Sequence, residues 1–332
     1  MKRFLSILLS VAMMMAMTAC GGTTSTTGAN GSNGDVISLK FGHATSESHF
    51  FHVGATAAKE KLEELSGGTM TLDIYPNSTL GTIREMVEGV QNGDIDMCLS
   101  ISTVIENFCP EMAVFSLPFL VDDYDHADRI MESELADYLD EKMAEVGLMN
   151  LGWWEIGFRS MLFKGDVQSF DDLQGKKIRI MSSDVFEKTM EALGLNPIVV
   201  DNSELYTSLS QNAVDGAENG YNELVDYALY EVTDVLLQTK HVYSPVCCLI
   251  SPATWDKLTS EQQAWLSEAI DVGTEASIAA SREMGEECVQ ILLDNGITEV
   301  PVDREELKER CASVYDAYPE LADMVAMVDN CR

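Results

Sequence analysis

Basic residues are scarce in this chain, and their scarcity excludes some classes of function. Only 21 of the 332 residues are lysine or arginine, against 55 aspartates and glutamates, so the formal net charge at pH 7 is −34. Nucleic-acid binding needs basic patches, so this composition argues against a nucleic-acid partner. An anionic ligand must instead be held by a local group of cations, because the chain as a whole has no attractive field for it. Salt limits the repulsive field of the chain to roughly 8–10 Å.

Regular cysteine patterns and catalytic motifs are also missing. The eight cysteines follow no regular spacing, which argues against a disulfide framework, although a bridge between Cys311 and Cys331 stays open. The sequence contains no G-x-S-x-G, H-E-x-x-H, G-x-x-x-x-G-K or G-x-G-x-x-G motif. We therefore expect a protein without enzymatic activity and without a cofactor, and a secreted hydrolase is only a distant alternative.

The longest apolar run near the start, Phe4–Met17, is too short to span a membrane as a permanent anchor. It follows a basic start and ends in the letters MTAC, which resemble a bacterial lipoprotein cleavage box. We expect residues 1–19 to be a signal peptide, Cys20 to be lipidated, and residues 20–36 to form a flexible tether. The folded part would then be held at the outer face of the cytoplasmic membrane; an ordinary secretory signal is the alternative.

Strand-like and helix-like patterns alternate along the rest of the chain. Each short strand pattern is followed by a helical one, with strands expected at 37–43, 70–75, 95–101, 177–181, 197–200 and 214–219. This rhythm predicts an α/β fold with parallel pairing. A helix predicted over 260–295 would be roughly 50 Å long, so we expect it to brace two lobes.

Two arginines stand in otherwise apolar or aromatic surroundings. Arg179 alternates with Ile178 and Ile180 in a strand pattern, and Arg159 follows the apolar run that ends at Trp154. A guanidinium in such a place can hold a carboxylate with two parallel hydrogen bonds. Surface ion pairs are the alternative for each arginine taken alone. Together with Asn219, the two arginines predict an anion-binding cleft.

Several motifs follow one another in a characteristic order over residues 37–320. They are Leu80-Gly81, Arg84-Glu85-Met86, Gly93-Asp94-Ile95-Asp96-Met97, Leu117-Pro118-Phe119, Gly157-Phe158-Arg159, Lys177-Ile178-Arg179, Asn196-Pro197, Ser203-Glu204-Leu205-Tyr206, Glu218-Asn219, Tyr230-Glu231-Val232 and His241-Val242-Tyr243-Ser244-Pro245. The set resembles the solute-binding proteins of tripartite ATP-independent periplasmic (TRAP) transporters. The resemblance implies a two-lobed fold of the type II periplasmic-binding-protein kind, which closes on its ligand. It also implies membrane partners, one small and one large subunit, driven by an ion gradient.

The resemblance also assigns roles within the site. It makes Arg179 the main carboxylate contact, and Arg159 and Asn219 further ligand contacts. We expect one lobe to comprise 37–156 plus 246–284 and the other 157–245 plus 285–332. The chain departs from the family pattern at Ile156, where asparagine is frequent, and at Gly220, where proline is frequent.

The opposite wall of the cleft should come from polar residues at the carboxyl ends of strands, where open α/β sheets bind ligands. The candidates are His43, Thr45, Ser100 and Ser102, with Trp154 as a surface for a sugar ring. The serines could equally be loop or cap hydroxyls, and Trp154 could pack in the core. A zinc site at His43, His49 and His52 is a distant alternative.

These candidate groups are mostly neutral, and neutral hydrogen-bonding groups suit hydroxyls. Met181 after the arginine strand also resembles the sugar-acid members of the family. We therefore expect a monocarboxylate sugar acid, such as a uronate or an aldonate. A C4-dicarboxylate is the alternative, because Arg179 and Arg159 could each take one carboxylate.

Overall fold

The computed structural model describes residues 36–332, so the predicted signal peptide, Cys20 and nearly all of the tether lie outside the described residues. Nine strands form one mixed sheet in the order β2-β1-β3-β8-β4-β7-β5-β6, with β9 paired to β8. The strands are β1 (Ile37–Gly42), β2 (Met70–Tyr75), β3 (Met97–Ile101), β4 (Met149–Phe163), β5 (Lys177–Ile180), β6 (Asn196–Val199), β7 (Gly216–Gly220), β8 (Val235–Ile250) and β9 (Thr298–Glu299).

The sheet has two outer parts joined by two long strands. In the first half, β1 pairs in parallel with β2 and β3, and in the second half β5 pairs in parallel with β6 and β7. β4 and β8 have 15 and 16 residues and run antiparallel to each other. The parallel pairing predicted for the strands that alternate with helices is therefore confirmed, whereas β4 and β8, for which no pairing was predicted, are antiparallel. These two strands carry the chain across and back, so they necessarily run in opposite directions.

The long strands change partners on their way. Residues 246–250 of β8 pair with β3, whereas residues 159–163 of β4 pair with β7. Between these stretches the β4–β8 register shifts at Glu155 and Gly157, opposite Pro245 and Ser244. The chain thus passes between the halves within the sheet itself.

Helices cover the sheet and connect its strands. They are α1 (Phe50–Leu65), α2 (Ile83–Asn92), α3 (Ser102–Ile105), α4 (Tyr124–Met131), α5 (Glu134–Glu145), α6 (Asp184–Ala192), α7 (Leu205–Ser210), α8 (Tyr221–Asp226), α9 (Pro252–Trp255), α10 (Ser260–Asp294), α11 (Arg304–Arg310), α12 (Ala312–Asp316) and α13 (Ala322–Asp329). Among these helices, all within residues 36–332, none is both long and apolar enough to cross a membrane.

Helix α10 contacts both halves of the sheet, as the sequence predicted. It packs on α1 in the first half, on the crossing strand β4, and on α8 in the second half. Its start is fixed by a capping box, in which Thr259 and Gln262 each accept the other's backbone N–H. The contact with α1 is very close, because a Cβ on Gly273 would lie 2.8 Å from both the carbonyl oxygen of Gly54 and the Cβ of Ala58.

Candidate functional site

A narrow inner cavity lies where the two halves meet. Thr45, Leu99 and Ile101 line it from the first half, and Arg159, Asn219 and Glu223 from the second. A second space of about 150 Å³, here called the adjoining cleft, is lined by Arg179. The two spaces share Ile83, Met181 and Asn202 in their walls, so the two arginines line adjacent spaces.

Arg159 lies on β4, is fully buried and forms a bidentate ion pair with Glu218 of β7. Its Nε donates to Oε2 at 2.5 Å and its Nη2 donates to Oε1 at 2.7 Å. Nη1 is buried and has no partner among the described residues. The positive charge of Arg159 is therefore neutralised inside the protein, while one N–H group remains free for a ligand.

The state of Glu218 follows from three opposing influences. Burial alone would raise the pKa of this carboxyl, but Arg159 and then His241 outweigh the burial and lower the pKa to about 2. His241 Nε2 lies 3.5 Å from Oε2. Glu218 is thus ionised at neutral pH and is fully engaged as the counter-ion of Arg159.

Arg179 lies on β5 and is just as deeply buried, but its partners are neutral. Nε donates to the carbonyl oxygen of Val200 at 2.8 Å, and Nη2 donates to Oδ1 of Asn202 at 2.6 Å. Nη1 has no partner among residues 36–332. Burial lowers the pKa of Arg179 to about 10, which still leaves the guanidinium charged at neutral pH. A buried charge without a counter-ion is costly, so this position favours binding of an anion.

Asn219 lies on β7 and lines the inner cavity. Its Oδ1 accepts the backbone N–H of Gly220 at 3.0 Å, which fixes the orientation of the side-chain amide. The amide nitrogen then remains as a hydrogen-bond donor beside Arg159, whose strand pairs with β7 at Ser160 and Asn219.

Of the first-half residues predicted for the opposite wall, Thr45 lines the inner cavity, whereas His43, Ser100 and Ser102 line neither space. His43 contacts Thr45 Oγ1 at 3.2 Å through Nδ1 and His52 Nδ1 at 3.1 Å through Nε2. Burial, with His52 and His49 nearby, lowers the pKa of His43 to about 3, so its ring is neutral at pH 7. His43 thus lies behind Thr45, its hydrogen-bond partner and the candidate that does line the cavity.

Ser100 and Ser102 were also predicted for the cavity wall, and they too lie outside it. Alternation along β3 places Leu99 and Ile101 at the inner cavity, so the intervening Ser100 faces away from it. Ser102 begins α3, where its buried hydroxyl has no partner among the described residues and contacts neither space.

Trp154 is fully buried in the core, which corrects the expectation that it faces a sugar ring. Its ring packs against Phe41 and Phe51 at centroid distances of 6.3 and 6.2 Å. The crossing of α1 and α10 covers it, since a Cβ on Gly54 would lie 2.8 Å from Trp154 Cη2.

Contacts across the cavity join the start of α1 to α8. His49 Nε2 lies 3.1 Å from Glu223 Oε1, and both side chains are buried. The backbone N–H of Ser46 donates to Asp226 Oδ2 at 3.2 Å. His49 is thus engaged with the opposite half, and no group of three metal-ligating side chains occurs within residues 36–332. Residues Cys311 and Cys331 are free thiols in this structure.

Sequence reasoning missed three residues of the site. Glu218 neutralises Arg159, Asn202 orients Arg179, and Glu223 lines the inner cavity. Glu218 immediately precedes Asn219, which was predicted for the site, so its place in the chain could have indicated that it lies there too. The positions of Asn202 and Glu223 depend on tertiary contacts that no local pattern reveals.

Comparison with known proteins identifies the class of protein that this fold and site define. Residues 41–321 match the family model DctP, described as bacterial extracellular solute-binding protein, family 7. The chain therefore belongs to this family of TRAP solute-binding proteins, and the resemblance and the fold predicted from the sequence are confirmed.

Individual relatives differ in what they bind. The 2,3-diketo-L-gulonate-binding periplasmic protein YiaO of Escherichia coli is 34% identical over 238 residues, which are 71% of this chain and 73% of that protein. The C4-dicarboxylate-binding periplasmic protein DctP of Rhodobacter capsulatus is 29% identical over 79% of each chain. A TRAP periplasmic solute-binding protein from Polaromonas, solved with D-erythronate, has a TM-score of 0.85 and 30% identity, covering 88% of this chain and 98% of that one.

Proposed function

We propose that this protein captures a monocarboxylate sugar acid, such as a uronate or an aldonate, in the space between its two halves. Arg179 supplies the main contact to the carboxylate, and Arg159 and Asn219 supply further hydrogen bonds. The observation that carries the proposal is the buried, charged guanidinium of Arg179, which has only neutral partners and one free N–H group. A ligand carboxylate would provide the missing counter-ion.

The charge balance of the site favours one carboxylate over two. Arg159 is already neutralised by Glu218, so Arg179 is the only one of the two arginines that lacks an acidic partner within residues 36–332. Thr45, Asn202 and Asn219 add neutral hydrogen-bonding groups to the walls, and such groups suit hydroxyls. A C4-dicarboxylate, the second candidate, would require Arg159 to exchange Glu218 for the ligand.

The comparisons support both candidates to different degrees. The Polaromonas protein holds D-erythronate, and a TRAP periplasmic solute-binding protein from Haemophilus influenzae, 26% identical with a TM-score of 0.85, holds L-gulonate. The relative from Rhodobacter capsulatus, whose name specifies C4-dicarboxylates, keeps that class as the alternative.

The transport role extends the proposal to partners. The loaded protein would deliver its ligand unchanged to the small and large membrane subunits of a TRAP transporter driven by an ion gradient. We assign 37–156 plus 246–284 to one lobe and 157–245 plus 285–332 to the other, with closure about the crossings at 156–159 and 243–246. The register shift of β4 against β8 at Glu155 and Gly157 supports a hinge at this level of the sheet.

Attachment to the membrane is a separate part of the proposal. The MTAC sequence that ends at Cys20, with a Gly/Ser/Thr-rich stretch after it, supports lipidation of Cys20. Mass spectrometry of the mature protein would show a lipid on an N-terminal Cys20. An unmodified Cys20 on the mature chain would contradict this part alone.

The ligand class is tested by thermal unfolding in a panel of acids. Binding to the folded state stabilises it by RT ln(1 + [L]/Kd), which is about 2.7 kcal/mol at a ligand concentration of 100 Kd. We expect glucuronate, galacturonate, gluconate or related acids to raise the melting temperature more than succinate, malate and fumarate. Stabilisation by the C4 acids alone would select the alternative. Recovery of the bound acid unchanged after long incubation would show that the protein does not turn it over.

A further inference from the structure

Glu223 presents a carboxylate oxygen at the ligand site that no protein group uses. The residue lies on α8, lines the inner cavity, and is 2% exposed. Its Oε1 lies 3.1 Å from His49 Nε2, whereas its Oε2 is buried and has no partner among residues 36–332.

The hydrogen bond to His49 fixes which oxygen is free. His49 Nδ1 accepts the backbone N–H of Phe51 at 3.2 Å, so in the neutral ring the proton is on Nε2. Nε2 therefore donates to Glu223 Oε1 and holds the carboxylate in place. Oε2 remains as an oriented, unpaired acceptor on a residue that lines the cavity.

Ile156 and Gly220 make the space that Glu223 occupies. A Cβ on Gly220 would lie 2.5 Å from Glu223 Oε2 and 2.4 Å from Ile156 Cγ2, so any larger residue would displace one of them. These are the two positions at which the sequence departs from the family pattern. The departures are thus in contact with each other, and the polar group missing at Ile156 has a counterpart in the nearby carboxylate of Glu223.

We propose that Glu223 is a specificity-determining residue, whose Oε2 accepts a hydrogen bond from a ligand hydroxyl and whose charge rejects a second carboxylate. The inference rests on the proposed function, because it requires an acid bound at Arg179. Glu218 cannot have the same role, since both of its oxygens are held by Arg159.

Two physical effects combine in this selection. A ligand without a hydroxyl leaves the buried Oε2 unpaired, and sites built around such a hydrogen bond reject the analogue that lacks it. A ligand with a second carboxylate brings two negative charges together in a confined space with little water, where their repulsion is weakly screened. Arg179 offsets only the first carboxylate.

The test uses acids that differ by one group. D-Gluconate and D-glucarate differ only in a terminal hydroxymethyl or carboxylate, as do D-galactonate and galactarate, and hexanoate lacks every hydroxyl. Calorimetric titrations of the mature protein would compare wild type, Glu223→Gln and Glu223→Asp. Glu231→Gln is the matched control, because Glu231 is an exposed acid in the same half that contacts Tyr206 and lines neither space.

We expect the wild type to bind an aldonate at least tenfold more tightly than the matching aldarate or hexanoate. Glu223→Gln can keep an oxygen toward His49 and place its NH₂ group where Oε2 was, so a donor replaces the acceptor. Aldonate affinity should fall at least tenfold, and the preference over the aldarate should shrink by at least the same factor. Glu223→Asp withdraws the oxygen but keeps the charge, so it should lose aldonate affinity and still reject the aldarate. Glu231→Gln should stay within twofold of wild type.

Several results would overturn the inference. One is an unchanged ratio of aldonate affinity to aldarate affinity in Glu223→Gln, and another is a wild type that binds both acids equally well. If Arg179→Ala still abolishes binding, either result leaves the proposed function intact. A wild type that binds no carboxylate in the panel would count against the arginine contact itself, and so against both. Melting curves identify any variant that does not fold, and Glu223→Asp then supplies the comparison if Glu223→Gln is that variant.

Discussion

Arg159 and Arg179 are buried to the same extent, but only Arg159 has its charge neutralised by an acidic partner among the described residues. Arg159 shares a bidentate ion pair with Glu218, whereas Arg179 donates only to a carbonyl and an amide oxygen. Removing Arg159 would leave Glu218 as a buried unpaired charge and damage the fold, so its loss would be hard to interpret. Arg179 is the cleaner test of ligand binding, because no acidic partner within the described residues depends on it.

We expect Arg179→Ala to weaken binding of the acid by roughly 30-fold or more. Truncating one partner of a buried charge pair costs about 2–5 kcal/mol, and each 1.4 kcal/mol is a factor of ten. Arg179→Lys should not restore affinity, because an ammonium cannot reproduce the planar fork of a guanidinium. Calorimetry would measure all three proteins with the same acid.

Lys177→Ala is the control for this experiment. Lys177 is an exposed cation on the same strand, so its removal changes the net charge equally without touching the site. Its affinity should remain within twofold of wild type. Near-wild-type binding by Arg179→Ala would remove this residue from the site.

The sequence predicted some of these site residues and misplaced others for a common reason. The place of Arg159, Arg179 and Asn219 in the cavity walls could be predicted, because two arginines in apolar strand patterns indicated the cleft and the family resemblance added Asn219. Ser100 and Trp154 were misplaced, because alternation along a strand shows that neighbours face opposite sides but not which side is the cavity. Glu223 could not be predicted, since its place depends on His49, which is 174 residues away in the chain.

Among the elements, α1 and α10 pack very closely against each other. Gly54 and Gly273 face each other there, and the space between them has no room for a methyl group. The same contact covers Trp154 and so helps to fix β4, the strand that carries Arg159.

We expect Gly273→Ala to destabilise the folded protein by about 1–3 kcal/mol, the usual cost of overpacking. Alanine favours a helix over glycine by up to about 1 kcal/mol, so the packing cost must exceed that gain. Gly285→Ala is the matched control in the same helix, because a Cβ there meets no atom closer than 3.9 Å. It should stabilise the protein, as measured by urea unfolding. Two substitutions of equal effect would show that α1 does not press on Gly273.

The elements themselves were predictable where a pattern is local. The strand rhythm and the long helix were found within a few residues of their observed ends, whereas the helical stretch before β4 is divided into two helices, α4 and α5. Ser133 starts the second one, because its side chain accepts the N–H of Leu135. The antiparallel pairing of β4 with β8 was missed, because a run of apolar residues carries no information about strand direction.

On the scale of the whole molecule, the described structure has its halves in contact across the inner cavity. Ser46 with Asp226, and His49 with Glu223, join the start of α1 to α8. Such contacts are made only when the halves are close together, so the structure has the features of a closed form.

We expect small-angle scattering to show a smaller radius of gyration with saturating ligand than without it. The ligand's carboxylate would link Arg179 in the second half to groups in the first, and this shifts the population toward the closed form. Arg179→Ala with the same acid should keep the larger radius. An unchanged radius in wild type with confirmed binding would show a pocket that is rigid.

The way β8 is shared between the halves also sets the order in which the chain can acquire its structure during synthesis. β3 ends at Ile101, and one of its edges pairs with residues 246–250 of β8. That partner is complete only at residue 250, which is 149 residues later in the chain. At typical rates of synthesis that delay is roughly 7–30 s. Until then the growing chain has one complete edge of β3 unpaired and no α10 to cover α1. A polypeptide that must pass a narrow secretion channel before folding would benefit from that delay, because the first half lacks these partners until most of the chain has been made.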